Sequence, residues 1–243
     1  MSSKPHRPRP ARQCARILLV DDHPMVRERL AEIINKEPDL KVCGEAEDRH
    51  EAVAAVAARH PDLVIVDLSL KNSDGLELIK DIHSRRTKVR TLVLSMHDES
   101  LYAERAIRAG ASGYITKQEA TRKILLAIRR VLAGTVYLND RVAAHIVGRL
   151  SPHSGSGAVT PADVLADREL QVFNLIGRGF NTVEIAARLH IAVKTVETYR
   201  ARTREKLKLK NSSELLQWAI AWTHGGGARS ATFQVSPRHH AAG

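Results

Sequence analysis

The sequence predicts two domains of different fold classes: an α/β domain with a doubly wound, five-stranded parallel sheet, and a smaller all-α domain of four helices. Three observations favour this division. Short apolar runs alternate with amphipathic helical patterns over residues 17–133, and these runs end in an acid, a hydroxyl or an amine. Such runs are typical of strands that helices cover on both faces. A stretch rich in Gly, Ser and Pro follows at residues 151–157 and is expected to be a flexible linker.

Composition narrows the class of protein. The chain has 243 residues, a formal net charge of +11 and a pI near 10.0, which indicates a polyanionic partner. Cys14 and Cys43 have neither metal-site spacing nor disulfide density, so we expect a reducing, cytoplasmic environment. No apolar run approaches the roughly 20 residues of a membrane span, and no membrane partner is expected. Residues 1–15 are basic without an apolar core, which predicts a disordered arm rather than a secretory signal.

Four strands can be placed because each is a short apolar run that ends in a polar side chain. They are Ile17–Val20 before Asp21 and Asp22, Leu63–Val66 before Asp67, Leu92–Leu94 before Ser95, and Gly113–Thr116 before Lys117. Helical stripes lie between and after these runs and are assigned to the core. Their apolar residues are Met25, Leu30, Ile33 and Ile34; Ala52, Val53, Val56 and Ala57; Leu76, Leu78, Ile79 and Ile82; Tyr102, Ala106, Ile107 and Ala109; and Ile124, Leu125, Ile128 and Leu132. The pattern predicts five strand–helix units.

The polar side chains at the strand ends are expected to lie together, because an open α/β sheet gathers its functional groups at the carboxyl edge. Three acids, Asp21, Asp22 and Asp67, repel one another there and raise one another's pKa unless a cation lies among them. Oxygen ligands of this kind suit Mg²⁺. A carboxylate beside Mg²⁺, with Lys117 and Ser95 nearby, can attack a phosphoryl donor and hold an aspartyl-phosphate. The alternative is that each acid only caps a neighbouring helix.

Four motifs in this half resemble the receiver domain of two-component response regulators, which has a flavodoxin-like fold. They are ILLVDDHP at residues 17–24, VIVDLSLKNSDG at residues 64–75, Leu94-Ser95, and Tyr114 to Lys117. The resemblance implies that a sensor histidine kinase phosphorylates Asp67. It also implies roles for the other residues: Mg²⁺ held by Asp22, Asp67 and the main-chain carbonyl of Ser69, with Asp21 assisting through water; the phosphoryl group contacted by Ser95 and Lys117; and Tyr114 as the switch aromatic.

The basic half contains the pattern of two helices joined by a tight turn at His190-Ile191-Ala192. The second of these begins at Val193 or Lys194. Its predicted buried face recurs with helical spacing at Val196, Tyr199, Thr203 and Leu207. The opposite face carries small polar and basic residues: Lys194, Glu197, Thr198, Ala201 and Arg202, with Arg200 and Arg204 on the flanks. A helix of this kind can read the major groove of DNA. The alternative is a solvated helix of a small bundle, whose basic residues only aid solubility.

Residues 165–207 resemble the helix-turn-helix of the LuxR-type (NarL/FixJ) regulators. The matching residues are Asp167-Arg168-Glu169, Ile176 to Gly179, Asn181, Glu184-Ile185-Ala186, Leu189, Ile191, Lys194-Thr195-Val196 and Lys206-Leu207. The resemblance implies DNA binding, and we expect base edges to be met by Lys194, Glu197 and Thr198, and phosphates by Thr195, Arg200, Arg202 and Arg204. Ala166 stands where the family usually has Thr or Ser, which removes a helix cap. The last helix, Glu214 to Trp222, is similar to the family's dimerisation helix.

Together the two resemblances are those of a NarL/FixJ-type transcriptional response regulator. The expected organisation is a basic arm at 1–15, a receiver domain at 16–133, a linker with a helix at 134–157, a helix-turn-helix domain at 158–223 and a disordered tail at 224–243. The resemblance implies a DNA-binding transcriptional regulator that is not an enzyme. Its expected cofactor is Mg²⁺, and its expected partners are a histidine kinase, double-stranded promoter DNA, RNA polymerase and, when phosphorylated, a second copy of the chain.

Two other functions fit part of the sequence. A phosphatase can also use aspartyl-phosphate chemistry, but the basic half supplies no substrate pocket. A DNA-binding protein with an unphosphorylated receiver is the second, and the complete set of Asp22, Asp67, Ser95 and Lys117 argues against it. The linker is expected to permit two arrangements of the two halves, one of them with the output helices covered. Phosphorylation then releases and pairs the DNA-binding domains.

Overall fold

The computed structural model describes residues 14–70, 73–85, 88–96, 99–140, 142–144 and 160–224. The basic arm up to residue 13, the linker at 151–157 and the tail from residue 225 lie outside the described residues, as does most of the helix predicted near residues 140–150. The first domain alternates strands and helices. Its elements are β1 (Ala15–Val20), α1 (Pro24–Asn35), β2 (Leu40–Ala46), α2 (Arg49–Arg59), β3 (Leu63–Val66), α3 (Gly75–Ser84), β4 (Arg90–Ser95), α4 (Glu99–Arg108), β5 (Gly113–Thr116) and α5 (Lys117–Leu132).

The five strands form one parallel sheet in the order β2-β1-β3-β4-β5. This confirms the predicted doubly wound α/β class. The central strand β3 is buried along its whole length, because helices cover both faces of the sheet. The strand that no apolar run had located is β2. It lies at the edge, and most of its residues are only half-buried or exposed, so its sequence lacks the continuous apolar run of an inner strand.

Two apolar cores separate the sheet from its helices. Leu18, Val64 and Val66 face the core that includes α2, α3 and α4, whereas Ile17 and Ile65 face the core beneath α1 and α5. The predicted helical stripes supply most of both cores. Ala57 of α2 is an exception, since it is exposed. Met25 is another, with 81% of its surface exposed. It lies five positions before Leu30, which is about 140° around a helix of 3.6 residues per turn, so the two side chains point to different sides.

The second domain consists of helices, as predicted. They are α6 (Pro161–Val164), α7 (Asp167–Gly177), α8 (Thr182–Arg188), α9 (Val193–Lys206) and α10 (Ser212–His224). Helices α8 and α9 form the helix-turn-helix, and the Asn181 side chain caps α8 by accepting hydrogen bonds from two backbone N–H groups. His190 makes the turn with a φ of +52°. Val196, Thr203 and Leu207 are buried and Tyr199 is half-buried, so the predicted inner face of α9 is confirmed.

Helices α7 and α10 pack closely because Gly177 has no side chain. A Cβ atom at this position would lie 2.2 Å from the main-chain oxygen of Ala219. Leu215 and Ala219 of α10 are buried against this helix pair, while Leu216 and Ile220 remain 43% and 42% exposed. Helix α10 therefore has one side committed to its own domain and one apolar side open.

Candidate functional site

The acids predicted to converge do meet at the carboxyl edge of the sheet. Asp67 follows β3 and is 3% exposed, and Asp21 follows β1 and is also 3% exposed. The Lys117 ammonium bridges them: its Nζ lies 2.7 Å from Oδ2 of Asp67 and 2.7 Å from Oδ2 of Asp21. The Asp67 oxygen Oδ1 accepts a hydrogen bond from the backbone N–H of Ser69 at 3.2 Å. The pocket thus holds buried negative charge against one amine.

Local backbone geometry explains why these groups meet. The Asp67 N–H donates to the carbonyl of Val20 at 2.8 Å, which continues the β1–β3 pairing beyond the strands. Lys117 is the first residue of α5, whose start is capped by the Thr116 hydroxyl. Gly75 begins α3 beside the acid, and a Cβ there would lie 2.2 Å from the Asp67 carbonyl oxygen. Only glycine permits this approach.

Burial sets the protonation behaviour of the pocket. Loss of solvent raises the pKa of Asp67, the Lys117 ammonium lowers it, and the Asp21 carboxylate raises it again, with a net rise above the ordinary value. Burial lowers the pKa of Lys117, but the two carboxylates outweigh that effect and hold it above its usual range. Lys117 is therefore charged at neutral pH, and a further cation beside Asp67 would favour the ionised form of that carboxyl group.

The residues present fit a divalent cation. Asp21, Asp22, His23 and Asp67 each offer a ligand atom, and these atoms lie within 4.8 Å of one another. The Asp22 side chain is 4% exposed, and among the described residues its Oδ1 receives no hydrogen bond. His23 Nδ1 lies 2.7 Å from that oxygen, but without hydrogen-bond geometry. A buried carboxylate oxygen with no donor is costly unless a cation compensates it. The acidic pocket is therefore compatible with Mg²⁺.

The remaining predicted pocket residues lie on the two neighbouring strands, β4 and β5. Ser95 is the last residue of β4 and is fully buried, and Tyr114 on β5 is 1% exposed. The alternative that the acids serve only as helix caps does not describe the structure. The N-caps of α1 and α3 are His23 and Asp74, not Asp22 or Asp67. His23 was not foreseen as a member of the pocket, although its position directly after Asp22 was a signal.

Helix α9 presents the predicted set to solvent. Lys194, Glu197, Thr198 and Arg202 are exposed, and Thr195, Arg200 and Arg204 are half-buried. The Thr182 hydroxyl, at the start of α8, orders part of this face. It donates to Oε1 of Glu197 at 3.0 Å and accepts from the Arg200 guanidinium at 2.7 Å. The Thr198 hydroxyl donates to the carbonyl of Lys194 at 3.0 Å. Glu197 is thus held in place by its own domain.

The two domains contact each other through polar groups that sequence reasoning did not find. The Arg105 guanidinium of α4 pairs with the Asp167 carboxylate and donates to the carbonyls of Ala162 and Leu165, at 2.6 and 2.5 Å. The Arg168 guanidinium of α7 donates to main-chain carbonyls of the loop that follows Asp67, which are those of Leu70 and Ser73. These partners are far apart in the chain, and no local pattern relates them.

A buried hydrogen-bond chain crosses the same interface. The amide of Asn174 on α7 donates to the Tyr102 hydroxyl of α4 at 3.0 Å, and its carbonyl accepts from the Trp222 indole at 3.1 Å. Burial raises the pKa of Tyr102, so its hydroxyl stays protonated. These two hydrogen bonds connect α4 with α7 and α7 with α10. The outward side chains of α9 take no part in this hydrogen-bond chain, and Trp222 joins it through Asn174 of its own domain.

A parallel five-stranded α/β domain with an acid pocket, followed by a helix-turn-helix, defines the class of response regulators with a DNA-binding output domain. Residues 17–129 match the family described as "Response regulator receiver domain", and residues 163–219 match "Bacterial regulatory proteins, luxR family". In the described part of the chain, no helix is long and apolar enough to cross a membrane.

Known proteins of this class resemble the chain over most of its length. The oxygen regulatory protein NreC of Staphylococcus haemolyticus is 34% identical over 209 residues, which are 84% of this chain and 96% of that protein. A LuxR-family response regulator from Aurantimonas sp. SI85-9A1 is 37% identical, with a TM-score of 0.53, and covers 57% of this chain and 100% of its own. RcsB of Salmonella enterica serovar Typhimurium, bound to promoter rprA with phosphomimetic BeF3-, is 23% identical, covers 85% of this chain and 98% of its own, and has a TM-score of 0.55, which supports the fold.

The chain belongs to the two-component response regulators with a LuxR-type DNA-binding domain. It is a phosphorylation-dependent transcription regulator, as predicted.

Proposed function

We propose that Asp67 accepts a phosphoryl group from a sensor histidine kinase. The single observation that carries this proposal is the Lys117 ammonium, 2.7 Å from both Asp67 and Asp21 in a pocket closed to bulk solvent. Burying the Lys117 ammonium between two carboxylates costs desolvation free energy. This burial is explained if the lysine later pairs with a phosphoryl oxygen, which is a strong charge-assisted contact.

In the proposed reaction an Asp67 carboxylate oxygen attacks the phosphorus of phosphohistidine. A P–O bond forms, the P–N bond breaks, and the imidazole nitrogen leaves with the electron pair. Lys117 turns its ammonium from Asp67 to a phosphoryl oxygen, and the Ser95 hydroxyl donates to another. The raised pKa of Asp67 makes its carboxylate a better nucleophile once ionised.

We assign the Mg²⁺ ligands to Asp22, Asp67 and the main-chain carbonyl of Ser69, with Asp21 acting through water. The buried Oδ1 of Asp22, which receives no hydrogen bond from the described residues, is the main support for this assignment. When bound, Mg²⁺ neutralises the acids and orients phosphoryl oxygens. Asp22 and Asp21 then serve to hold the ion, whereas Asp67 serves both as ligand and as nucleophile.

A labelling experiment tests the acceptor. With Mg²⁺ and a small phosphodonor, the wild-type chain is expected to gain one acid-labile and base-labile phosphoryl group, and Asp67→Asn none. Asp62→Asn is the matched control, since Asp62 lies at the other end of β3, where its carboxylate accepts from the Arg16 backbone N–H at 2.8 Å. Label on Asp67→Asn, or loss of label in Asp62→Asn, contradicts the assignment.

We propose that α9 reads the major groove of promoter DNA. Lys194, Glu197 and Thr198 face base edges, and four other side chains meet phosphates: Thr195, Arg200, Arg202 and Arg204. The contact of Glu197 with the Thr182 hydroxyl supports a reading role, because a side chain held in advance loses less entropy on binding. A glutamate accepts hydrogen bonds from the amino group of cytosine.

Regulation follows from the domain contacts. We propose that in the unphosphorylated protein the output domain is held against the receiver by Arg105, Arg168 and the hydrogen bonds that link Tyr102, Asn174 and Trp222. Phosphorylation then releases the output domain. The phosphoryl group draws Ser95 toward it, Tyr114 turns into the vacated space, and the face of α4 changes shape. The loop after Asp67 offers a shorter route, since Arg168 donates directly to its carbonyls.

Released chains pair through α10. Leu216 and Ile220 are its exposed apolar residues, and two such surfaces packed together place two copies of α9 on neighbouring half-sites. We take the domain bounds to be 16–133 for the receiver and 158–223 for the output domain, and RNA polymerase to be the further partner at the promoter.

A further inference from the structure

Two histidines from different domains meet at one acid beside the phosphorylation pocket. His23 Nδ1 lies 2.7 Å from Oδ1 of Asp22 and 3.1 Å from Oδ1 of Asp21. His190 Nε2, from the helix-turn-helix, lies 3.6 Å from Oδ2 of the same Asp22. The two imidazole rings stand 5.8 Å apart between centroids, at 70° to each other. Asp22, His23 and His190 each offer a ligand atom within 4.8 Å of the others.

Hydrogen bonding accounts for only part of this arrangement, because the His23 ring nitrogen Nδ1 is hydrogen-bonded to Oδ1 of Asp21 at 3.1 Å. The Asp22 side chain is 4% exposed, and its Oδ1 receives no hydrogen bond from any described residue although an imidazole nitrogen is 2.7 Å away. The histidines retain room to adjust, since their side chains are 51% and 42% exposed. A buried carboxylate whose two oxygens each face an imidazole nitrogen, and whose Oδ1 receives no hydrogen bond from a described residue, is an arrangement that a metal ion can complete.

The donor set selects the ion. Two imidazole nitrogens and one carboxylate oxygen suit zinc and other first-row transition ions, whereas Mg²⁺ prefers oxygen alone. Tetrahedral zinc places its ligand atoms about 3.3 Å apart, given zinc–nitrogen distances of about 2.0 Å. The three atoms here are within 4.8 Å of one another, so side-chain rotation is enough to reach that spacing. A water molecule can fill the fourth position.

We propose that Asp22, His23 and His190 form a zinc site that joins the receiver to the DNA-binding domain. The ion binds only when His190 lies against the receiver, so zinc stabilises the closed arrangement by its differential affinity for the two states. Asp22 is also a proposed Mg²⁺ ligand, so zinc bound there opposes phosphorylation of Asp67. This regulatory consequence rests on the proposed function, whereas zinc binding itself does not.

Zinc binding to the full chain tests the site. Metal-free protein is titrated with Zn²⁺ against a chromophoric chelator, without Mg²⁺, for wild type, His23→Gln and His190→Asn. Asparagine suits position 190, because it tolerates the left-handed φ of +52° found there. Each variant is expected to weaken the tightest site by about ten-fold or more, the cost seen even for outer-shell partners.

The matched control is His50→Gln, which removes an exposed imidazole from α2 and is expected to leave the tightest site unchanged. The chain has twelve histidines, and any weaker zinc binding by the other histidines contributes the same background in every variant. Thermal unfolding without zinc shows whether each variant is folded. Because His23 and His190 belong to different domains, loss of one site in both variants of a monomeric protein identifies a bridging ion. Unchanged affinity in His190→Asn overturns the proposal, as does an equal loss in His50→Gln.

A second readout separates this site from the proposed function. At a Zn²⁺ concentration that saturates wild type but not His190→Asn, Mg²⁺-dependent phosphorylation by a small phosphodonor is expected to be slowed more in wild type, by up to about ten-fold, in line with the lost affinity. Without zinc the two should react equally. Equal slowing in both proteins overturns the coupling between the domains. Failure of wild type to be phosphorylated without zinc contradicts the proposed function, while the titration still decides the zinc site.

Discussion

Lys117 is held between two buried carboxylates, and this position gives it two separate effects on the pocket. Its charge lowers the pKa of Asp67 against the effects of burial and of Asp21. Its Nζ is also within 2.7 Å of an Asp67 oxygen, where a phosphoryl group would arrive. Favouring the ionised form of Asp67 and pairing with the phosphoryl group are distinct roles of Lys117. Replacing Lys117 affects each of them in a different measurement.

Lys117→Ala is expected to retain slow phosphorylation and to lose the rise in DNA affinity that follows it. Because the ammonium holds the pKa of Asp67 down, its loss raises that pKa further. The acid limb of the pH–rate profile for phosphorylation, at saturating Mg²⁺, should therefore move to higher pH. Lys123→Ala is the control, since Lys123 pairs with Glu119 on the outside of α5. A profile that stays in place contradicts the assigned effect of Lys117 on Asp67.

Ala166 marks a second residue-scale effect, at the start of α7. Glu169 accepts from the Ala166 backbone N–H at 2.8 Å, so half of a capping box is present, but alanine offers no side-chain acceptor. Ala166→Ser should raise the free energy of unfolding by about 1 kcal/mol, the usual value of such a cap. Urea unfolding of the full chain measures it. Ala187→Ser, at an exposed position inside α8, should instead be neutral or destabilising, and equal effects would exclude capping as the cause.

The residues of the acid pocket were predictable, whereas the zinc-site histidines were not. Asp21, Asp22 and Asp67 follow apolar strands, and the parallel sheet dictates that their strand ends meet. His190 reaches Asp22 only through the packing of one domain on another, which involves no periodicity in the sequence. Tyr102 illustrates the same limit: its burial follows from the stripe of α4, but its hydrogen bond to Asn174 joins residues 72 positions apart.

At the scale of elements, α9 combines a buried face with an exposed one, and we propose that the exposed face divides into positioning and reading residues. Arg202 is exposed on a basic helix, whereas Glu197 is an acid on a surface that approaches a polyanion. If this face approaches DNA, an acid there opposes nonspecific binding, and reading a base is the role that we propose for it.

Arg202→Ala is expected to weaken binding to all DNA sequences and to lower the slope of log affinity against log salt by about one unit. Glu197→Ala should instead relax the preference at one base pair by about 1–3 kcal/mol. Binding of the phosphorylated protein to a set of single-substitution sites, at several salt concentrations, measures both effects. A uniform loss of the same size in both variants would refute the division.

The elements that the sequence left unplaced share a physical reason. Strand β2 lies at the sheet edge, so burial on one side only gives LKVCGEA a mixed pattern instead of an apolar run. The stripe assigned to α1 included Met25, but the buried positions of that helix are Arg27, Leu30 and Ile34. Arg27 is buried because its guanidinium meets Glu45, Glu47 and the carbonyl of Asp21. Hydropathy alone cannot predict an arginine in that position.

At the scale of the whole molecule, the proposed closed arrangement combines polar contacts with apolar packing, since one buried cluster contains residues of both domains, such as Ala106 of α4 and Leu170 of α7. Arg105 alone joins a carboxylate and two carbonyls of the output domain. Hydrogen bonds to charged groups contribute about 1.5–3 kcal/mol each at most sites. An interface of this type can be closed in one state and released by a local change.

Arg105→Ala is expected to raise the DNA affinity of the unphosphorylated full chain about ten-fold or more, since about 1.4 kcal/mol corresponds to a factor of ten. Arg108→Ala is matched to it, because Arg108 lies on the same helix, is 67% exposed and pairs with Glu104 of its own helix. A fragment from Ala158 onward should bind as tightly as the released protein. If Arg105→Ala and Arg108→Ala bind DNA alike, the interface does not restrain the output domain.

The close approach at Gly75 has a mechanical consequence for this restraint. The Gly75 N–H donates to the carbonyl of Leu68 at 3.2 Å, and no Cβ atom fits between α3 and the Asp67 backbone. The end of β3 and the first turn of α3 are therefore in direct backbone contact, and we expect them to move together. We expect a displacement of the Asp67 main chain to be passed on through Leu68 and the start of α3 to the Ser73 carbonyl, to which Arg168 donates. A larger residue at position 75 would separate these two segments. Phosphorylation of Asp67 would then fail to release the output domain, even with every side chain of the acid pocket in place.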